Sequence, residues 1–473
     1  MENKAVQRYL ILFIPWALAL IFQSDAILSY FIAWGGSFFI FYISLSGTLK
    51  KLPDDRTISE QLMRPIFLVQ IIFAGYMCVT SIFYFFSVLG YDDFHKTVNG
   101  YLVDQTQLQL TAQCQRYYCL AHASLVAGIL MFMKYPVKRR YYIEIEKLAN
   151  LLMFAALLSF PISEMFLRVP GLQQFYFQFN TLSFIAGTLA LAFAIPLKIP
   201  RNIIVCLFIY ASNFYQAFIS GYKEPIILSV LVLGIFLYPN YKKMVTVIFI
   251  PAILVLFILL PTFNSVFRAN AWAGGADTDE ATQLALDAAL NGDSPGQKET
   301  NWEFLTLRLS EIDMFTKFVA STPKNVDYYK QAMLIQSTEA IIPRIFWPGK
   351  PNTEDMIMER VYNAGVINRN SNVSAKPAFV ADAYLCFGPF GIFVFLFIYG
   401  ALAQVISMKA EELFGGYILG TALIFSGLFQ IMWRGSSFEF LVNTLFWSYM
   451  TMLVINKILI TYNILKPVED PSN

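Results

Sequence analysis

Apolar runs of roughly 17 to 25 residues recur along the whole of this chain, each long enough to cross about 30 Å of hydrocarbon as a helix. That recurrence makes the bilayer the solvent. The composition agrees, since 57% of the 473 residues are hydrophobic and only 14% are charged, far from the balance of a water-soluble chain. A membrane-spanning barrel would instead alternate apolar and polar residues over segments of roughly 10 residues, a pattern missing here. Helices remain as the way to satisfy every backbone group in lipid. The expected fold is all-α: a polytopic bundle of about twelve transmembrane helices with one large extracytoplasmic helical loop. The spans are read at residues 9–22, 26–46, 66–90, 117–134, 148–166, 181–198, 202–219, 225–239, 244–261, 387–408, 413–432 and 437–456.

Lys and Arg concentrate in cytoplasmic loops, so their distribution orients the spans. Alternate loops collect Lys50, Lys51, Arg56 and Arg64, then Lys134, Lys138, Arg139, Arg140 and Lys147, and later Lys198, Arg201, Lys242, Lys243, Lys409, Lys457 and Lys466. The short loops of the other side hold only Lys96, Arg116, Arg168, Lys223 and Arg434. Both termini are therefore expected in the cytoplasm. The first run follows Lys4 and Arg8 without a small-residue cleavage site and reads as a retained helix. The organisation expected is an N-terminal bundle of about nine helices over 1–261, an extracytoplasmic loop over 262–386, and C-terminal helices with a cytoplasmic tail over 387–473.

Several chemistries are disfavoured by what is missing. No phosphate-binding G-x-x-x-x-G-K-[ST] loop, G-x-S-x-G elbow, H-E-x-x-H pair or Rossmann glycine pattern occurs. The net charge of +2 and the lack of a basic tract argue against a nucleic-acid partner. The five cysteines form no CxxC pair, the close pair Cys114 and Cys119 reads as two unpaired thiols, and no metal site is expected. The only histidines, His95 and His122, lie outside the large loop.

Inside that loop, 277–290 reads as a short amphipathic helix. A second helix is expected from a capping box at Thr300-Asn301-Trp302-Glu303 through the apolar run Phe304 to Val319, ended by Pro323. Arg308 would interrupt its apolar face, with Glu311 at i+3 as a partner or an anionic ligand in its place. Cations on this side are unexpected and need explaining. Lys223 sits in the turn Ser220-Gly221-Tyr222-Lys223-Glu224-Pro225, and Arg434 in Trp433-Arg434-Gly435-Ser436-Ser437; snorkelling or local pairing competes with ligand binding at both. The run Ile342-Pro343-Arg344-Ile345-Phe346-Trp347-Pro348-Gly349-Lys350-Pro351 cannot be a regular helix. It fixes Arg344 and Lys350 where they suit a phosphate or diphosphate. Trp347, like Trp272 and Trp302, is either a stacking surface for a sugar or an interfacial anchor. Arg360, Arg369 and Lys376 read as solvated or paired, and Asp382 as a base or as the partner of a nearby cation.

The exported Gly-x-Lys turn heading a helix, the long loop with its Arg308, the Pro-Arg-x-x-Trp-Pro-x-Lys-Pro run and the opening Asp382-Ala383-Tyr384-Leu385-Cys386-Phe387-Gly388-Pro389-Phe390-Gly391 together resemble the bacterial O-antigen polymerases of the Wzy type. The likeness covers roughly Ser220 to Gly400. Members of that family more usually carry Arg where Lys223 stands and Glu where Asp382 stands. The resemblance implies a GT-C-like glycosyltransferase, without cofactor or metal, in the bacterial inner (cytoplasmic) membrane. It would join undecaprenyl-diphosphate-linked oligosaccharide repeat units at the outer face, making O-antigen, capsule or exopolysaccharide chains. Its partners would be the lipid-linked donor and acceptor, membrane lipid and a chain-length regulator. Lys223, Arg308, Arg344, Lys350 and Arg434 would hold the diphosphate, where preorganised cations stabilise the leaving group. Trp347 would meet the glycan, and Asp382 or Glu311 would take the acceptor's proton. A rival reading is an oligosaccharide ligase, which that resemblance would equip with a loop histidine missing here. A flippase of lipid-linked oligosaccharides is the other, and it should show internal repeats, of which none is evident.

Overall fold

A computed structural model describes residues 7–468, apart from 93, 97–100, 220–222, 274, 276, 291–301 and 371–373. The protein is an all-α membrane protein, about 74% helical. Among the described residues, eight helices are long and apolar enough to cross a bilayer: Ala26–Leu45, Leu68–Val88, Lys147–Arg168, Gln173–Leu197, Pro200–Ile219, Lys242–Ala271, Phe379–Leu413 and Phe438–Thr461. Two shorter apolar helices, Tyr9–Ile21 and Ile418–Leu428, accompany them. Large apolar side chains such as Phe208, Leu158 and Val247 stand exposed on their outer faces, where lipid rather than water is the natural neighbour.

The segment read as a span at 117–134 belongs to a longer helix, Gln105–Phe132, which is too polar to qualify by composition. Thr111, Gln115, Arg116, His122 and Ser124 on it are buried by protein. Gln115 accepts from Ser81 at 2.7 Å, Arg116 donates to Ser29 at 2.8 Å, and the His122 ring meets Gln70 at 3.2 Å, all buried. Polar groups at membrane depth persist where neighbouring helices bond them. Along its second half this helix lies directly against Phe379–Leu413. A Cβ on Gly128 would fall 2.1 Å from the Phe397 carbonyl oxygen, and one on Gly400 would fall 2.1 Å from that of Leu125. Small residues at such crossings let backbones approach closely.

Phe379–Leu413 is itself broken. Phe387 leaves the helical region, Gly388 has φ 62° and ψ −148°, and Pro389 follows. The carbonyls that the break releases are taken by the loop, since Tyr329 N–H donates to Leu385 O at 2.9 Å and Lys330 N–H to Cys386 O at 3.1 Å. Non-helical backbone at a membrane edge survives where protein buries it. The half-helix 379–386 is consequently separate from the apolar run read at 387, and the preceding span runs beyond residue 261, through Lys242–Arg268.

The single helix expected over Phe304 to Val319 is two pieces, a π-helical turn at Phe304–Arg308 and a helix at Ile312–Ser321. Glu311 between them adopts φ 54°, a left-handed conformation that costs a non-glycine residue about 1–2 kcal/mol. Two tyrosines explain the break. Tyr76 donates to the Arg308 carbonyl at 3.1 Å and Tyr118 to the Ser310 carbonyl at 3.0 Å, taking acceptors a continuous helix would use. Arg308 and Glu311 are therefore not an intrahelical i,i+3 pair. The start of the expected capping box, Thr300-Asn301, lies outside the described residues. The short helix expected at 277–290 is present as Thr278–Leu290, with Asp277 accepting from the Glu280 N–H at 2.8 Å.

The loops sort to two ends. At one, the basic connections meet: Tyr141–Tyr142 pairs with Lys466–Pro467, Lys50 donates to the Leu130 carbonyl at 2.7 Å, and Arg64 bridges Asp55 at 2.8 Å and Glu411 at 3.1 Å. At the other, the 302–378 segment docks. Tyr84 donates to Asp313 at 3.0 Å, Gln107 to Thr316 at 3.1 Å, and the Trp447 indole to the Ile341 carbonyl at 2.8 Å.

Candidate functional site

Three segments distant in sequence bring charged groups together at the loop end. Helix Thr353–Asn363, whose first turn is capped by Asn352, carries Arg360. The half-helix 379–386 carries Asp382, and Glu439 stands in the first turn of Phe438–Thr461. All three side chains are buried, at 2%, 0% and 0% exposure. Arg360 grips Glu439 with both terminal nitrogens, at 2.6 and 2.9 Å, and reaches Asp382 Oδ2 at 3.3 Å. The same Asp382 oxygen accepts the Phe438 N–H at 2.9 Å. It thereby satisfies one of the orphan donors at a helix N-terminus, where negative charge is favoured. Burial alone would lower the pKa of Arg360, but Asp382 and Glu439 more than reverse it, so the guanidinium is held charged.

Four buried polar atoms around this cluster have no partner among the described residues: Asp382 Oδ1, Arg360 Nε, Ser437 Oγ and Asn443 Oδ1. Buried polar atoms are nearly always bonded, so each of these four calls for a partner such as water or a ligand. A cavity of about 260 Å³ adjoins it, walled by Gln173, Arg344, Lys350, Glu354, Glu439 and Asn443 among others. Glu439 is the member of the ion cluster that lines it.

Two of the expected cations are in that wall. Lys350 is buried and donates to the carbonyls of Ala340 and Ile342 at 2.7 and 2.9 Å. Arg344 donates to the carbonyls of Lys350 and Pro351 at 3.0 and 3.3 Å. These bonds fasten the proline-rich turn, using two of three ammonium N–H groups and two of five guanidinium ones. Burial first, and then Arg344, lower the pKa of Lys350. Trp347 lies in the same turn, partly buried, but outside the cavity lining. The side chains of Lys223 and Arg434 lie outside what the structure describes.

Arg308 and Glu311 form a separate locus against Tyr76 and Tyr118. Arg308 is exposed, while Glu311 is partly buried and its carboxyl is pushed up to about 7 by that burial against the pull of Arg308. Neither lines the cavity. Arg369 and Lys376, read as solvated or paired, do pair, with Glu359 at 2.6 Å and Glu354 at 3.1 Å. Trp302 is buried with its ring against Phe94. Asp382 has a cation partner in Arg360, as one of its two sequence readings held. The sequence reading missed Glu439 and gave Arg360 no special place. One signal was available: an acid at the first turn of an otherwise apolar span has to be paired or functional. Among the described residues, no group of three or more His, Cys, Asp and Glu side chains is placed to hold a metal, and the five cysteines are buried free thiols.

A family model described as Domain of unknown function (DUF8712) matches residues 14–467. No curated protein and no solved structure matches the chain.

Proposed function

We propose that this chain, which belongs to the family described as Domain of unknown function (DUF8712), is a glycosyltransferase that polymerises undecaprenyl-diphosphate-linked oligosaccharide repeat units at the outer face of a bacterial inner membrane. The observation that carries this reading is the cavity in which two rigidly held cations, Arg344 and Lys350, share a wall with the carboxylate of Glu439. A hydroxyl oxygen of one repeat unit bonds to the anomeric carbon of the growing chain, and the bond from that carbon to the diphosphate oxygen breaks. Arg344 and Lys350 face the charge that develops on the leaving diphosphate. Of the two carboxylates on the wall, Glu354 is paired with Lys376, and Glu439 accepts the hydroxyl proton. Asp382 sits behind Arg360 and acts as a positioning residue, holding the guanidinium and the helix that presents Glu439.

Purified protein in nanodiscs, supplied with a lipid-diphosphate-linked repeat unit, should yield a ladder of polymer lengths. The variant R344Q/K350Q is expected to lose on the order of 100-fold in turnover or more, the effect of removing preorganised donors from a developing anion. E439Q should lose turnover while still retaining donor lipid. Undiminished polymer from either variant would remove the assigned roles, and failure of any lipid-diphosphate oligosaccharide to be consumed would remove the activity.

A further inference from the structure

The end of the molecule opposite the loop carries a larger cavity, about 540 Å³, that the glycosyl-transfer reading leaves unused. Lys134, Lys138, Arg139 and Arg140, from the connection that follows Gln105–Phe132, form one side of it; Met408 and Glu412, from the last turns of Phe379–Leu413, form the other. Four cations thus face one carboxylate, and that carboxylate is already engaged by Arg140 and, at 2.9 Å, by Lys409. Lys50, anchored on the Leu130 carbonyl, adds positive charge beside Lys134; burial and Lys134 together lower its pKa. All four cations are exposed, and two contacts fasten the segment that carries them. Arg139 lies over Gly416, where a Cβ would come within 2.8 Å of its Nε, and the backbone N–H of Lys134 donates to the Met408 sulfur at 3.4 Å.

A second observation bears on the kind of anion. Ile398, Leu402 and Val405 stand exposed at 43%, 38% and 43%. Their spacing of four and three residues puts them on one face of the helix, and the next position on that face, Met408, is in the cavity wall. An apolar stripe therefore runs along the outside of the helix and ends in a cationic pocket. A free phosphate would use the pocket and ignore the stripe. A phospholipid uses both, and basic pockets between helices at the cytoplasmic surface are suited to anionic headgroups.

We propose that this cavity seats the phosphodiester headgroup of an anionic membrane lipid, with an acyl chain lying along Ile398, Leu402 and Val405. The proposal does not depend on the glycosyltransferase reading. The test titrates the purified full chain with dihexanoyl phosphatidylglycerol, dihexanoyl phosphatidylcholine and inorganic phosphate, following thermal unfolding by tryptophan fluorescence. The anionic phosphatidylglycerol should raise the midpoint well above the effect of the other two. K134Q/R139Q should need about tenfold more of it, and V405N should weaken the lipid response while leaving the response to phosphate as in the wild type. The charge-preserving K134R/R139K should restore binding. Should the neutralised variant fail to fold, native mass spectrometry of the wild type decides: retained anionic phospholipid that is released at high salt supports the site. Equal retention of zwitterionic lipid, a wild-type response in K134Q/R139Q, or full stabilisation by phosphate alone would overturn it.

Discussion

Arg360 serves two carboxylates at once, and the consequences of removing it differ from those of removing its partners. Taking the guanidinium away leaves Asp382 and Glu439 buried without a counter-charge, a change that costs about 3–5 kcal/mol in comparable settings. Arg360→Met should therefore lower the thermal unfolding midpoint markedly in detergent, whereas the triple change R360M/D382N/E439Q, which removes the charges together, should recover most of the loss. A triple variant as unstable as the single one would mean that the three side chains matter for shape and not for charge. Glu311 gives a second prediction with a definite sign. Its folded pKa, about 7, lies above the ordinary carboxylate value of 4.5, so the unfolded chain gives up this proton first as pH rises. The fold consequently has its full contribution from this group below about pH 4.5 and loses it progressively up to about pH 7, by about 1–3 kcal/mol. Glu311→Gln should flatten the fall in the unfolding midpoint between pH 5 and pH 7. A slope unchanged by the substitution would place the titration elsewhere.

At the scale of the helix, two glycines have different tasks. Gly400 leaves room for the neighbouring backbone, and any side chain there meets the Leu125 carbonyl, so Gly400→Leu should prevent the two central helices from closing. The expected result is loss of a monodisperse peak in fluorescence-detected size exclusion. Gly388 instead supplies a positive φ, and its Cβ position lies 2.9 Å from the Tyr328 hydroxyl, the end of a side chain. Its φ/ψ pair of 62° and −148° lies where essentially only glycine is found, so Gly388→Ala should cost about 3 kcal/mol, seen as a drop in midpoint with the elution profile kept. These two sites also mark what the sequence could convey. The apolar runs announced helices because length and hydrophobicity act locally. The polar first half of Gln105–Phe132 stayed hidden because its glutamines are tolerated by partners such as Ser81 and Thr316, which only the packed bundle supplies. The break after Arg308 was equally invisible, being imposed by Tyr76 and Tyr118 from more than a hundred residues away. Arg344 and Lys350 could be singled out because prolines fix them, and Asp382 because a carboxylate before an apolar run is conspicuous. That all three converge on Glu439 required the tertiary fold.

For the whole molecule, the separation of its two ends turns the charge bias into an orientation that can be measured. The connections rich in Lys and Arg are fastened to one another through Arg64, Lys50 and the short ribbon at Tyr141–Tyr142, so they share one side of the bilayer however the bundle tilts. The 302–378 segment is tied to the opposite helix ends by Tyr84, Gln107 and Trp447. Because Lys and Arg are retained in the cytoplasm, the basic end is expected inside and the loop outside. The five native cysteines are buried, which keeps the background low for thiol labelling. Lys51, whose side chain is 81% exposed at the basic end, and Lys324, exposed in the loop, are the positions to compare. In intact spheroplasts a membrane-impermeant maleimide should label Lys324→Cys and spare Lys51→Cys, and permeabilisation should make both react. Labelling of both in intact cells would contradict a bundle that separates the two ends across the membrane. Labelling of Lys51→Cys alone would invert the topology. It would also place the cavity lined by Arg344, Lys350 and Glu439 on the cytoplasmic side, where the proposed polymerisation does not take place.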